Sequence, residues 1–268
     1  MKFPKKYKFR ELAKRERREK VLTVHKILQF STNVEDFKKQ LKKLTKRSIK
    51  TIEYLTKNQS ECENWYYFRK NVITATLTKR ICTAVKKQNT CSKINEAITK
   101  TEHVELFFPS IVYGRKSEEK ALADFWLVYQ KKHKNPKIEK VGFTHHTNFI
   151  NGGSPDFLYE CSCCGRFVGE IKCPYSLMEE SVLENYHKLP YLTQTGELKT
   201  VHGYYFQIIS YLGIFGLAKA SLIVWSQVDF KVITVDFDKT VWEQIILDSE
   251  TYYYDIYLPE FFRIKSQC

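Results

Sequence analysis

Two runs of residues, 154–160 and 166–173, have the apolar and β-branched character of strands and are separated only by the turn-rich segment CSCCG. So short a connection permits an antiparallel hairpin and excludes a parallel crossover, which needs a dozen residues or more. Alternate residues of a strand share a face, so Val168, Glu170 and Lys172 point one way while Phe167, Gly169 and Ile171 point the other. With the turn near residues 162–165, the first strand returns and brings Asp156 toward the Glu170–Lys172 pair. Two carboxylates and an ammonium at one spot fit two readings. One is a salt bridge between strands. The other is a set of hard oxygen ligands for Mg²⁺ with a lysine beside them.

A third acid bears on that choice. Residues 118, 121, 122, 125 and 129 recur at spacings of three and four, which predicts a helix over 117–130, starting after Gly114, with Glu118 on its apolar stripe. An unpaired buried carboxylate is costly and favours a metal or cation as partner, whereas Glu119 falls off the stripe. Further helices are expected over 73–86, 204–217 and 239–247, and further strands in SLIVWS and KVITVDF. The order implies an α/β fold with a mixed sheet flanked by helices.

Charge divides the chain unevenly. Residues 1–57 carry 19 Lys/Arg against 6 Asp/Glu, and the rest is nearly neutral at 25 against 24. We read residues 1–57 as a basic helical extension, with one amphipathic helix over 33–57 capped by Thr32 or Asn33, and 58–268 as the main domain. A basic extension on a neutral body suits an anionic partner, nucleic acid foremost, although a solvated lysine face has the same composition. The start of the chain lacks the apolar core of a signal peptide, and the most apolar stretch, 208–225, is interrupted by Ser210 and Lys219, so no membrane span is expected. The expected setting is intracellular, and the basic start is compatible with nuclear import in a eukaryotic host.

These residues together resemble the PD-(D/E)xK nucleases, and more closely the phage lambda exonuclease and YqaJ-type viral recombinase family. SPD at 154–156 and GEIKCPY at 169–175 look like the central motif, with Asp156, Glu170 and Lys172 as its signature. YGRKSEEKA resembles the motif of Gly114, Glu118 and Ala121, whose glutamate helps to hold metal. RKNVITAT resembles the early segment in which Arg69 and Thr76 would bind the terminal 5′-phosphate, and HGYYFQIISYL resembles the helix that carries Gln207 near the metal site. The match runs in order over residues 65–240. It departs from the family pattern at Phe157, where a glycine usually stands, and at Ile209 and Tyr211, where further glutamines are common.

The resemblance implies a restriction-endonuclease-like core and a Mg²⁺- or Mn²⁺-dependent exonuclease with one or two ions per site. Glu118, Asp156, Glu170 and the backbone carbonyl of Ile171 would hold metal. The implied reaction is 5′ to 3′ digestion of linear double-stranded DNA. A toroidal homotrimer and a single-strand annealing partner are implied by the resemblance alone. An endonuclease of the same fold and a DNA-binding derivative without catalysis are the competing classes, and release of nucleotides from linear but not closed circular DNA separates the first two.

The cysteines allow two readings. Cys161, Cys163, Cys164 and Cys173 could supply four thiolates for a structural zinc, but C-x-C-C is an awkward spacing, and free cysteine also packs as a small hydrophobe. His145, His146 and His202 are expected to serve as loop and helix-end residues, and the aromatic clusters NWYYFRK and TYYYDIYLPEFF as core or as base-stacking surfaces.

Overall fold

The computed structural model describes residues 18–88, 92–99 and 108–267. Most of the charged segment 8–20 lies outside these residues.

The hairpin is the middle of the main sheet. Strand β5 (Phe157–Cys161) pairs antiparallel with β6 (Gly165–Lys172), setting Phe157 opposite Gly169 and Cys161 opposite Gly165. Strand β7 (Lys219–Trp225) adds to β6 in parallel, β8 (Phe230–Asp236) returns antiparallel on β7, and the short β2 (Lys137–Glu139) closes the far edge on β5. The order is β2-β5-β6-β7-β8.

Strand alternation then assigns two cores. One face presents Leu158, Val168, Ala220, Leu222 and Val224 to helix α8 (Gly203–Phe215), which is apolar nearly all round, with Ile208, Ile209 and Leu212 buried. The other face presents Phe157, Tyr159, Ile171, Ile223 and Trp225 to Ala121 and Phe125 of helix α7 (Pro109–Lys132). The sheet is thus sandwiched between two helices, the mixed α/β architecture the sequence implies.

Helix α7 is longer than its sequence pattern predicts. It starts at Pro109, whose missing N–H is tolerated in the first turn, and runs through Gly114, where a side chain would meet nothing. Its buried residues are Ser117, Ala121 and Phe125, and Glu118 is exposed beside them. The small side chains at 117 and 121 let the helix approach the sheet on that line, which turns Glu118 toward open space instead of into the core.

The expected helix over 73–86 also divides. Residues Ile73–Thr74 form β1, paired with β4 (Asn151–Gly153) in a small second sheet that includes β3 (Thr144–His145), and helix α5 (Thr78–Lys86) follows one 3₁₀ turn later. At the C-terminus, α9 (Lys239–Thr251) outruns its expected end and continues through the π-helical turn Tyr252–Tyr257 into α10 (Leu258–Lys265).

The single helix expected over 33–57 is two, α2 (Val34–Leu41) and α3 (Lys46–Leu55), because Thr45 and Ser48 form a capping box that starts a new helix. Asn33 caps α2 as expected. The shift in charge near residue 58 is not a shift in core. Phe37 and Ile52 pack in one cluster with Phe68, Ile81, Phe143, Tyr253 and Tyr257, while lysines 39, 42, 43, 46 and 50 stay exposed. No helix among the described residues is long and apolar enough to cross a membrane.

Candidate active site

The start of β5, the end of β6 and the first turns of α7 and α8 meet at one edge of the sandwich. Asp156 Oδ2 accepts the backbone N–H of Ile171 at 2.6 Å, which fastens the acid before β5 to the last turn of the pleat in β6. Glu170 is 3% exposed and lies on the α8 face, where its Oε1 accepts from Lys172 Nζ at 2.6 Å and from Gln207 Nε2 at 2.8 Å. Gln207 donates also to the Tyr211 hydroxyl at 2.7 Å. The Lys172 ammonium lies over the Tyr204 ring, 4.7 Å from its centroid. Glu170 Oε2 is buried and has no hydrogen-bond partner.

Asp156, Glu170 and Gln207 border a cavity of about 380 Å³ together with Glu118, Arg69 and Thr76, while Lys172 is not among its lining residues. Six of the residues expected at the site thus meet in one space. Helix α4 (Glu63–Arg69) delivers Arg69, whose guanidinium stacks on Trp65 at 3.6 Å. The Trp65 indole donates to Ser154 Oγ at 3.0 Å, and the side-chain amide of Gln59 donates to the carbonyls of Val141 and Pro155. The segment just after the expected domain boundary is therefore fastened to the SPD turn itself. Thr76 is exposed, with its hydroxyl 3.0 Å from that of Thr74.

The electrostatics follow from burial. Desolvation, and then the charge of Glu170, push the Asp156 carboxyl well above the usual carboxylate range. The same two causes raise Glu118 at the cavity wall. Desolvation lowers the Arg69 guanidinium to about 10. Two acids with raised pKa values, Asp156 and Glu118, and one orphaned carboxylate oxygen, on Glu170, form a site short of positive charge. Hard oxygen donors of this kind suit a divalent cation.

Other residues of the site were not expected. Arg115 lines this cavity and a second, of about 450 Å³, which shares Glu118 and Asp156 with it and adds Lys57, Lys116, Lys140 and Ile171. Arg115 follows directly on Gly114 in YGRKSEEKA, so the motif itself held that signal. Tyr211, at a place where glutamine is common in the family, lines the cavity and holds Gln207. Phe157 replaces the family glycine, and its ring fills the space over Gly169, where a Cβ would meet ring atoms at 2.2 Å.

The four cysteines separate. Cys161, Cys163 and Cys164 gather with His133, which the sequence reading passed over. Cys173 packs near Ile171 instead, because β6 intervenes, and at roughly 3.3 Å per residue its length carries Cys173 on the order of 25 Å away. His145 is buried, with Nδ1 bonded to the Phe149 carbonyl, and His202 caps α8. Neither lines the cavity.

No curated protein matches the chain. Solved structures do match its fold. An alkaline exonuclease from Laribacter hongkongensis is 16% identical, with a TM-score of 0.55 over 77% of this chain and 97% of that one. The shutoff and exonuclease protein of Kaposi's sarcoma-associated herpesvirus is 13% identical, with a TM-score of 0.51 over 85% of this chain and 77% of that one. A SOX–DNA complex is 11% identical, with a TM-score of 0.54 over 88% and 79%. The restriction-endonuclease-like core expected from the motifs is the fold of these exonucleases. A family model of the viral alkaline exonucleases matches residues 4–163, more than half of the chain and including the basic N-terminal helices. On that match the chain belongs to the viral alkaline exonuclease family and is a DNA exonuclease.

Proposed function

We propose that the chain digests linear double-stranded DNA from a 5′ end and that it needs a divalent ion, Mg²⁺ or Mn²⁺, to do so. The observation that carries this reading is the shared cavity, in which Arg69 and Thr76 face the same space as Glu118, Asp156 and Glu170.

The side-chain oxygens of Glu118, Asp156 and Glu170, with the carbonyl of Ile171, would hold the ion. Their chemistry fits, because Glu170 Oε2 has no partner and the raised acids gain from a cation. A bound divalent ion would lower the pKa of water and neutralise charge on the phosphate. Lys172 keeps its proton, since the anionic Glu170 and Asp156 outweigh desolvation and raise its pKa. Its ammonium can therefore orient the attacking water and offset the negative charge that develops on the phosphate oxygens.

Arg69 would present its planar fork to a terminal 5′-phosphate, with Trp65 fixing the plane and the exposed Thr76 hydroxyl donating a further hydrogen bond. Arg115, Lys57, Lys116 and Lys140 would carry the duplex backbone through the second cavity, as phosphate contacts do without regard to sequence. The SOX–DNA complex supports nucleic acid as the partner.

The test uses three substrates, linear duplexes with and without a 5′-phosphate and a closed circle, and repeats the linear digestion in EDTA. The reading expects digestion of the linear substrates alone, faster with the 5′-phosphate and lost in EDTA. Cutting of the closed circle would move the chain to the endonucleases, and digestion at the wild-type rate by Asp156→Ala would remove the site assignment.

A further inference from the structure

The tip of the hairpin carries an arrangement that the nuclease reading does not use. Cys161 and Gly165 are opposed in the register, so residues 162–164 form a three-residue loop, and Gly165 takes the left-handed conformation at φ +85° that such a turn requires. Within the loop the Cys164 N–H donates to Cys161 Sγ at 3.2 Å. The loop is held against the end of α7 by two further bonds, from the Ser162 N–H to the Lys134 carbonyl at 2.9 Å and from the Asn135 amide to Ser162 Oγ at 3.3 Å. His133, the residue that ends α7, turns its Nδ1 into the loop, and its ring plane is set by stacking on Tyr129 at 3.9 Å and 15°.

His133 Nδ1 lies 3.4 Å from Cys161 Sγ, 3.4 Å from Cys163 Sγ and 3.5 Å from Cys164 Sγ. The sulfurs of Cys161 and Cys163 are 3.2 Å apart, those of Cys163 and Cys164 are 3.8 Å apart, and all four ligand atoms lie within 4.8 Å of one another. Hydrogen bonding does not account for this, because a neutral imidazole nitrogen has at most one proton to give and here it faces three sulfurs. Packing does not account for it either, because Cys163 and Cys164 are exposed. A tetrahedron with metal–sulfur bonds of about 2.3 Å and a metal–nitrogen bond of about 2.0–2.1 Å has edges of roughly 3.8 Å between sulfurs and roughly 3.5 Å from nitrogen to sulfur. The observed separations follow those edges, with one sulfur pair tighter.

We infer that His133, Cys161, Cys163 and Cys164 form a structural zinc site that clamps the end of α7 to the tip of the catalytic hairpin. The C-x-C-C spacing that is awkward for a knuckle becomes workable once the fourth ligand comes from the helix, 28 residues before Cys161. Four protein ligands leave no open position, so the site is structural and not catalytic, and soft thiolates select zinc over the Mg²⁺ that carboxylates prefer. The two elements it joins are those that carry Glu118 on one side and Asp156, Glu170 and Lys172 on the other.

The full chain, expressed with added zinc and purified under reducing conditions, is expected to hold one zinc per chain. X-ray absorption should fit three sulfurs and one nitrogen, and cobalt in place of zinc should give thiolate charge-transfer and tetrahedral visible bands. Asp156→Asn should keep the metal, while Cys163→Ser with Cys164→Ser should lose it. A strong chelator should lower the melting temperature of the wild-type protein and leave that of the double variant unmoved. Zinc far below one per chain after reconstitution, an oxygen-rich absorption fit, or full zinc content in the folded double variant would each overturn the assignment. The cobalt spectrum of the wild-type chain decides the matter even if the double variant does not fold.

Discussion

Asp156 and Ile171 are joined by a hydrogen bond of 2.6 Å, from the backbone N–H of the residue that separates Glu170 from Lys172 to the carboxylate that faces them. Hydrogen bonding to the ionised form lowers a pKa, yet desolvation and Glu170 prevail and the Asp156 pKa stands raised. The ionised form of Asp156 is thus destabilised where it sits, despite the hydrogen bond it accepts.

The first expectation concerns pH. Asp156 has a folded pKa above its ordinary 3.8, so at this site the native state binds a proton more tightly than the unfolded chain. Its contribution to the stability of the metal-free protein is therefore fullest below that ordinary value and is lost as pH rises through the raised one. Asp156→Asn should raise the melting temperature at about pH 8 and change it little at about pH 4. Added Mg²⁺ should act in the opposite sense, stabilising the wild-type protein more as pH rises, because the ligands must be ionised to bind it. A scan of melting temperature against pH, with and without the ion, reads both.

Lys172 and Glu170 are expected to be energetically inseparable. Removing the ammonium in Lys172→Ala leaves a carboxylate of 4% side-chain exposure without its ion pair, which should cost about 3–5 kcal/mol. The double variant Glu170→Gln with Lys172→Ala should be more stable than Lys172→Ala alone, a coupling visible in denaturant unfolding. Both variants should lose activity, with Lys172→Ala down by on the order of 10²–10³.

Arg69→Lys keeps the charge and loses the fork and the stack on Trp65. At about 1.5–3 kcal/mol for a hydrogen bond to a charged group, affinity for a 5′-phosphorylated duplex should fall on the order of 10-fold to 100-fold. Affinity for the 5′-hydroxyl duplex should change much less. Equal losses on both substrates, measured by titration in Ca²⁺ to suppress cutting, would count against the 5′-phosphate role.

Gly169→Ala should destabilise the hairpin by about 1–3 kcal/mol through overpacking, because its Cβ would meet the Phe157 ring at 2.2 Å. Phe157→Leu should recover part of the loss in the double variant. Thermal unfolding of the three proteins suffices.

The sequence disclosed the hairpin because strand alternation is a local rule, and one turn is enough to return Asp156 toward Glu170 and Lys172. It disclosed less wherever long-range packing decides. The stripe of α7 is chosen by Ser117 and Ala121 lying close to the sheet, so the periodicity of residues 118, 121 and 125 assigned Glu118 to the wrong side of the surface. A charge shift near residue 58 had the look of a boundary, but charge reports the solvent face while Phe37 and Ile52 report the core. His133 escaped notice because its cysteine partners are distant in the chain. Phe157 was a departure from a motif until its opposition to Gly169 gave it a reason.

Asn71, two residues after Arg69, adopts a left-handed backbone at φ 60°. Its side chain bonds His25 and Tyr257, and its carbonyl accepts from the Tyr253 hydroxyl. The bend between Arg69 and Thr76 is therefore secured by partners from both extremities of the chain, 46 residues earlier and 186 later. Such distant pairings form late, after local helices and hairpins. The turn at Asn71 therefore reaches its final hydrogen bonding only once the helical segment that carries Tyr253 and Tyr257 has been synthesised and docked.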